Sequence, residues 1–261
     1  MSDGKLRTWT FEPLSGEVRR ALERLTRTDG VVAVAAMPDV HLASDVCVGT
    51  VVASSLLFPA AVGGCIGCGM AAIAFDADAE VLDSAGSAAR VLGGLGAYVP
   101  ILKHRDAQAL TEMLETGRLS AEVLEKKKER DGRVQIGTLG RGNHFLEFQR
   151  DDENRLWLMV HSGSRGIGQL IRDHHLKRAT PTNTGLLALA AESSEGEAYL
   201  NDMNWALAYA AENRRRLVDT AVVVMKRALG ITADETSLFG CHHLGDHPKP
   251  ASEDHLKAGQ S

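Results

Sequence analysis

Two cysteines spaced as C-x-x-C, Cys65 and Cys68, lie in the glycine-rich segment VGGCIGCGM (62–70). That spacing lets one turn aim two thiolates at a single metal ion, or lets them form a redox pair. Two small apolar side chains buried in a tight turn is the plainer alternative. A zinc finger would need a second such pair close by, and the sequence has none, so further ligands must come from distant segments. Histidines could supply them. His144 falls in GTLGRGNHFLEF (137–148), His161 ends an apolar run and opens HSGSRG (161–166), and His242 and His243 follow Cys241. A strand end facing a glycine turn suits a ligand histidine, because the strand fixes the ring's direction and glycine leaves room for an ion. Singly, each reads as a hydrogen-bonded structural histidine. Together with the C-x-x-C they point to one shared metal centre.

HSGSRG carries a second chemistry. Successive backbone N–H groups, the hydroxyls of Ser162 and Ser164 and the Arg165 guanidinium could hold an anion at a helix N-terminus; an ordinary strand-to-helix turn is the alternative. In MPDVH (37–41), Asp39 and His41 read as an acid–base pair or as groups that orient a ligand, against a simple capping turn. The run Arg214, Arg215, Arg216 reads as a solvated helix face. Neighbouring helical positions point about 100° apart, so at most one or two of them can face a site. His104, between Lys103 and Arg105, reads as a surface residue.

The elements that must position these residues follow from periodicity and punctuation. Residues 15–29 have helical spacing, with Ser15 as N-cap and Gly30 just past the end. VVAVAA (31–36) is a continuous apolar run and reads as a buried strand. MPDVH is then a turn, VGTVVAS (48–54) a second strand and AAIAF (71–75) a third. Helices are expected at roughly 80–95, at 106–117 with Asp106 as cap and Gly117 as stop, and again after Ser120. LEKKKERDGR (124–133) reads as a charged, solvated helix end and loop. RLWLMVHSGSRGIG (155–168) is a strand, a turn and the start of a helix. The longest helical pattern covers about 194–229, and Gly230 ends it. From Cys241 onward the polar stretch with Pro248 and Pro250 reads as loop or frayed tail.

Composition excludes several classes. The chain has 261 residues, a net charge of −5 and 44% hydrophobic residues, with a mean hydropathy of −0.11. These are globular values, which exclude disorder, collagen and coiled coil. The mild negative charge argues against coating nucleic acid through bulk charge, while leaving room for gripping a strand end through local cations. Four cysteines are too few for a disulfide scaffold in a chain this long. The N-terminus lacks the basic-then-apolar layout of a signal peptide, so a cytoplasmic protein with reduced thiols is expected. Residues 46–75 carry no charge and are long enough to span a bilayer, but Pro59, two serines and five glycines interrupt them. Turns exposed to lipid would leave backbone groups unpaired, so this stretch is read as buried strands around a glycine-rich turn, with no membrane association.

Five segments in one order, MPDVH (37–41), PAAVGGCIGCGM (59–70), GTLGRGNHFLE (137–147), MVHSGSRGIG (159–168) and DMNWALAYAAENRRRL (202–217), resemble the RtcB family of RNA ligases. The resemblance implies an α/β (α+β) fold of stacked sheets with flanking helices around a central metal pocket. It implies GTP- and Mn²⁺-dependent joining of RNA 3′-phosphate or 2′,3′-cyclic phosphate ends to 5′-hydroxyl ends, with tRNA halves or damaged RNA as partners. By motif, Cys68 matches a metal-bridging cysteine, and His144, His161 and His243 match metal ligands. Asn143, His144, Phe145, Leu146 and Glu147, with His243 and Leu244, match the stretches that contact the guanine nucleotide. Cys65 stands where the family has an aspartate, and Leu244 where it has an asparagine. Sulfur in place of carboxylate moves the preference from Mn²⁺ toward Zn²⁺.

Family members are longer, and their C-terminal part carries the histidine that accepts GMP. The chain therefore reads as a short relative, with the family domain over 1–240, a polar tail over 241–261 and no residue assignable as nucleotidyl acceptor. Three functions follow: an RtcB-type ligase, a non-catalytic relative that binds metal and RNA ends or nucleotide, and a thiol redox or zinc-structural module at Cys65 and Cys68.

Overall fold

In the computed structural model, which describes residues 4–43 and 46–242, the elements run in chain order. They are β1 (Leu6–Thr8), α1 (Gly16–Thr26), β2 (Val31–His41), β3 (Val48–Ser54), β4 (Leu56–Leu57), α2 (Pro59–Val62) and β5 (Gly69–Asp78). A 3-10 turn (Ala79–Leu82), α3 (Ala85–Tyr98), α4 (Glu112–Thr116), α5 (Glu122–Lys127), a π-helical turn (Lys128–Gly132) and α6 (Arg133–Gln135) follow. β6 (Phe145–Arg150), β7 (Arg155–Ser162), α7 (Arg165–Leu176), β8 (Thr180–Pro181), β9 (Leu187–Ala190), α8 (Ser194–Leu229) and β10 (Ala233–His242) complete them. Mixed helices and sheets make this an α/β fold, as expected. The chain divides into two compact units, each gathered from three segments. One holds the residues up to Ile66 with Ala107–Val134 and Arg165–Leu207; the other holds Gly67–Asp106, Gln135–Ser164 and the residues from Ala208 onward.

In the first unit, Ser15 caps α1 by accepting from the Val18 N–H at 3.3 Å, which answers one of the donors a helix start leaves open. Val18, Leu22 and Leu25 then share one face of α1 and pack with Val31, Val34 and Ala36 of β2. β2 lies between β1, parallel to it, and β3, antiparallel. Val32 is 63% exposed, so VVAVAA is buried on one face only, unlike the fully buried strand expected. MPDVH also departs from the sequence reading: it continues β2 to His41 instead of turning. The register slips between Ala36 and His41, and an irregularity of that kind is where a strand tolerates a proline such as Pro38.

Two helix expectations change in the same unit. The 106–117 helix shrinks to α4, capped at Thr111, because the Gln108 N–H donates to the Arg133 carbonyl at 2.8 Å and not to its own turn. The charged 124–133 stretch is helical and includes Lys128, which is 1% exposed. Its ammonium is sealed in by the Gly117 carbonyl at 2.9 Å and the Glu125 carboxylate at 3.1 Å, so composition misleads there. In the second unit, the expected 80–95 helix is a 3-10 turn followed by α3.

The second unit is built on an antiparallel sheet ordered β10-β5-β7-β6. Alternate residues of β5 (Ala71, Ile73, Phe75) and β7 (Leu156, Leu158, Val160) face a core closed by Val91 of α3 and by Leu217, Val218, Ala221, Val224 and Met225 of α8. The period of two in the strands meets the period of 3.6 in the helix at this layer. Position 161 has the opposite parity and turns to the other face. β10 was missed in the sequence: it runs through Cys241 and His242, pairing them with Met70 and Gly69, so the chain is still in the sheet where a tail was expected to begin. Residues 46–75 are divided among β3, β4, α2 and β5, and among the described residues no helix is long and apolar enough to cross a membrane.

Candidate metal centre

The residues leading into β5 make the C-x-x-C turn. Gly67, between the two cysteines, has φ +70°, a left-handed conformation that glycine adopts without steric cost. The turn brings the Cys65 and Cys68 sulfurs within 4.8 Å of each other. Cys68 Sγ lies 3.3 Å from Nε2 of His144. His144 sits on the loop before β6, and its Nδ1–H donates to the Leu139 carbonyl at 2.9 Å. His161, buried near the end of β7, donates Nδ1–H to the Gly69 carbonyl at 3.1 Å. A carbonyl can only accept, so each Nδ1 carries the proton and each Nε2 presents a lone pair. That is the tautomer of a metal-ligating imidazole whose other nitrogen is held by the protein. The two rings meet edge to face, with centroids 5.6 Å apart and planes at 77°. The register explains their meeting, since β7 places His161 opposite both Met70 of β5 and Phe145, the residue after His144. The set can do one thing well: offer sulfur and imidazole donors to a small cation.

The remaining candidates fall as follows. Asn143 and Glu147 are exposed and Phe145 and Leu146 half-buried, around the start of β6. The Ser162 hydroxyl donates to the Leu139 carbonyl at 2.8 Å, so it ties the loop that carries His144. Ser164 is fully buried and its hydroxyl has no hydrogen-bond partner. Arg165 opens α7 with φ +53°. Asp39 and His41 are exposed on β2, in the first unit, with His41 Nδ1–H donating to the Asp39 carbonyl at 2.7 Å. His243 and Leu244 lie outside the described residues. His104 is half-buried, its Nε2 2.9 Å from the Ile136 carbonyl, and so is more enclosed than a surface residue. Of the other cysteines, Cys47 lies in the first unit's core, where burial pushes its thiol up against the opposing pull of Arg24, and Cys241 is exposed.

Sequence reasoning missed two residues that support the centre. Asn213 is 0% and Arg214 4% exposed, whereas Arg215 and Arg216 pair with Glu212 on the outside of α8. Burial pushes the Glu212 carboxyl up, but hydrogen bonds from these two arginines bring it to a net value below the usual range. A signal was present: Ala206, Ala210, Asn213 and Leu217 recur at helical spacing, so a polar side chain sits on an apolar stripe.

An α/β protein with a thiol–imidazole cluster at the end of an antiparallel sheet is the class that these observations define. The family described as tRNA-splicing ligase RtcB matches residues 21–117 and 98–246, and the chain belongs to the RtcB family. It is 28% identical to the RNA-splicing ligase RtcB of Escherichia coli K12 over 91% of this chain and 66% of that protein. It is 32% identical to the tRNA-splicing ligase RtcB of Methanocaldococcus jannaschii over 53% of this chain and 16% of the relative. The RNA-splicing ligase RtcB of Mycobacterium tuberculosis is also 32% identical, over 46% of this chain and 33% of its own length. The chain thus spans just under two thirds of the E. coli relative.

Proposed function

We propose that the chain acts as an RNA ligase of the RtcB type, joining an RNA 3′-phosphate or 2′,3′-cyclic phosphate to a 5′-hydroxyl with GTP and a divalent metal ion, in tRNA splicing or RNA repair. The observation that carries this reading is the contact of the Cys68 sulfur with Nε2 of His144, made while both His144 and His161 donate Nδ1–H to a carbonyl. The donor atoms of Cys65, Cys68 and His144 lie within 4.8 Å of one another and fit a transition-metal ion by donor chemistry, with His161 beside His144 outside that group; two sulfurs favour zinc or cobalt over manganese. His243, which follows the end of β10 directly, is the further ligand expected. When bound, the ion supplies positive charge to a phosphate held against it.

The chain's own groups do the rest. Asn143 and Glu147 offer exposed polar atoms to a guanine nucleotide beside the half-buried Phe145 and Leu146. Arg165 and the backbone N–H groups opening α7 bind a phosphate. Ser162 holds its loop in place through Leu139. His41, with Nδ1–H committed to the Asp39 carbonyl, keeps Nε2 for accepting or returning a proton.

The test incubates the full chain with Mn²⁺, Zn²⁺ or Co²⁺, α-labelled GTP, and RNA bearing 3′-phosphate and 5′-hydroxyl ends. Ligated RNA and label on the protein are expected. Bound metal with neither label nor ligation would overturn ligation. It would favour a relative that holds metal and RNA ends without joining them, the reading to which the sulfur donor at position 65 lends weight. No bound metal and a reversible Cys65–Cys68 disulfide would favour a thiol redox module.

A further inference from the structure

Three pieces of backbone present the donors of the second unit, and all three are tied to two adjacent residues of α8. Arg214 Nη1 donates to the Gly67 carbonyl at 2.6 Å and to the Ser162 carbonyl at 2.9 Å. Gly67 immediately precedes Cys68, and Ser162 immediately follows His161. Asn213 Oδ1 accepts from the N–H groups of Gly137 and Thr138 at 2.7 and 3.2 Å. Its Nδ2 donates to the Thr138 carbonyl at 3.2 Å and to Ser162 Oγ at 3.0 Å. Ser162 Oγ in turn donates to the Leu139 carbonyl, the same oxygen that receives His144 Nδ1–H. One helical turn therefore reaches the Cys68 turn, the His144 loop and the end of the His161 strand.

We infer that Asn213 and Arg214 are positioning residues that set the spacing of Cys68, His144 and His161. The loops concerned are glycine-rich, with positive φ at Gly67, Gly137, Gly140 and Gly142, and such backbone has little stiffness of its own. Metal ligands must be held to within a few tenths of an ångström. α8 supplies that stiffness, because beyond the site its Leu217, Val218 and Ala221 are locked in the sheet's core. Both bonds leave from Nη1, whose two N–H groups are held in the guanidinium plane and so fix the spacing of the two carbonyls, whereas a lysine ammonium on a freely rotating stem sets no such plane. Asn213 fits its place because an amide both accepts and donates.

The inference rests on reading the cluster as a metal site, and the experiment separates the two. Wild type, Arg214→Lys and Arg215→Lys are compared by circular dichroism, by Co²⁺ titration monitored through the sulfur-to-cobalt charge-transfer band, and by the iodoacetamide alkylation rate of Cys68 in the metal-free chain. Arg215 lies on the outer face with Glu212 and Asp219, so its variant should match wild type throughout. For Arg214→Lys a native fold is expected, with cobalt affinity lowered about 10- to 100-fold, a shifted band, and Cys68 alkylation about threefold faster as the turn loosens. If wild type binds no cobalt, the metal reading fails and the alkylation rate alone decides the positioning role. If Arg214→Lys does not fold, Asn213→Asp, which keeps the accepting oxygens and loses both Nδ2 donations, carries the same expectations. A folded variant with unchanged cobalt affinity and unchanged Cys68 alkylation overturns the inference.

Discussion

Replacing Asp202 by alanine should lower the stability of the first unit by an amount that its hydrogen bonds set. Its carboxylate is 0% exposed. It accepts from the Ser120 N–H at 2.7 Å, the Ser120 hydroxyl at 2.6 Å and His175 Nε2 at 2.7 Å. Alanine leaves these donors and Asn201 Nδ2, which donates at 3.2 Å, without their acceptor; His175 is fully buried, whereas Ser120 and Asn201 are exposed and can turn to water. At about 1–3 kcal/mol for the one orphaned buried donor, His175 Nε2, and less for donors that water can reach, the loss is about 2–3 kcal/mol. Asparagine should cost less. Its oxygen can still accept from Ser120, and His175 can move its proton to Nδ1, which has no hydrogen-bond partner, and then accept from the new amide. Burial pushes the Asp202 carboxyl up, but hydrogen bonds from His175 and Ser120 bring it to a net value below the ordinary 3.8. A carboxyl lowered on folding stabilises at pH above its unfolded value, and that stability is lost as pH falls through the folded one. The gap between wild type and D202A should therefore hold constant from pH 5 to 8 and narrow below about pH 4. Urea denaturation followed by tryptophan fluorescence measures it, since Trp205 is buried in the same unit. A D202A loss under about 1 kcal/mol, or D202N as damaging as D202A, would refute the reasoning.

Three further outcomes are expected. Tyr199→Phe should be neutral or stabilise by up to about 1 kcal/mol in the same denaturation, because the hydroxyl is buried without a partner and burial alone raises its pKa. Gly196→Ala should cost about 1–3 kcal/mol, since the added Cβ would stand 2.0 Å from the Ala190 carbonyl oxygen and the backbone must shift; a wild-type melting curve would contradict this. Cys65→Asp should raise manganese affinity about tenfold and lower that for cobalt, by titration calorimetry, as a hard oxygen replaces a soft sulfur. Unchanged selectivity would remove Cys65 from the ligand set.

What the sequence disclosed depended on whether a pattern was local. α8 was legible from end to end because its apolar repeat is long and Gly230, at φ +73°, stops it. β7 and the turn into α7 were legible for the same reason. β10 was not: ADETSLFGCH has no clean alternation, its Leu238 and Phe239 are exposed, and only pairing with β5 makes it a strand. Pro38 resembled a turn signal, yet a register irregularity absorbs it within β2. Lys128 looked solvated by composition because its partners, the Glu115 and Gly117 carbonyls, lie at the end of a different helix. At the candidate site, Cys68, His144 and His161 declared themselves by residue type and spacing. Arg214 was hidden in a run of three arginines, since nothing in the run tells which one finds two carbonyls.

The pairing of β10 with β5 also sets a timetable for synthesis. Gly69 lies opposite His242, so the two strands are separated by more than half the chain. At roughly 5–20 residues per second on the ribosome, β5 emerges roughly 10–35 s before the strand that covers its edge. Throughout that interval a strand whose first seven residues, Gly69 to Phe75, carry no charge offers an open ladder of N–H and C=O groups to any neighbouring chain. Arg214, which grips the turn before β5, also arrives late. The nascent chain therefore carries its cysteine turn exposed and unclamped until Arg214 has been made and folded back.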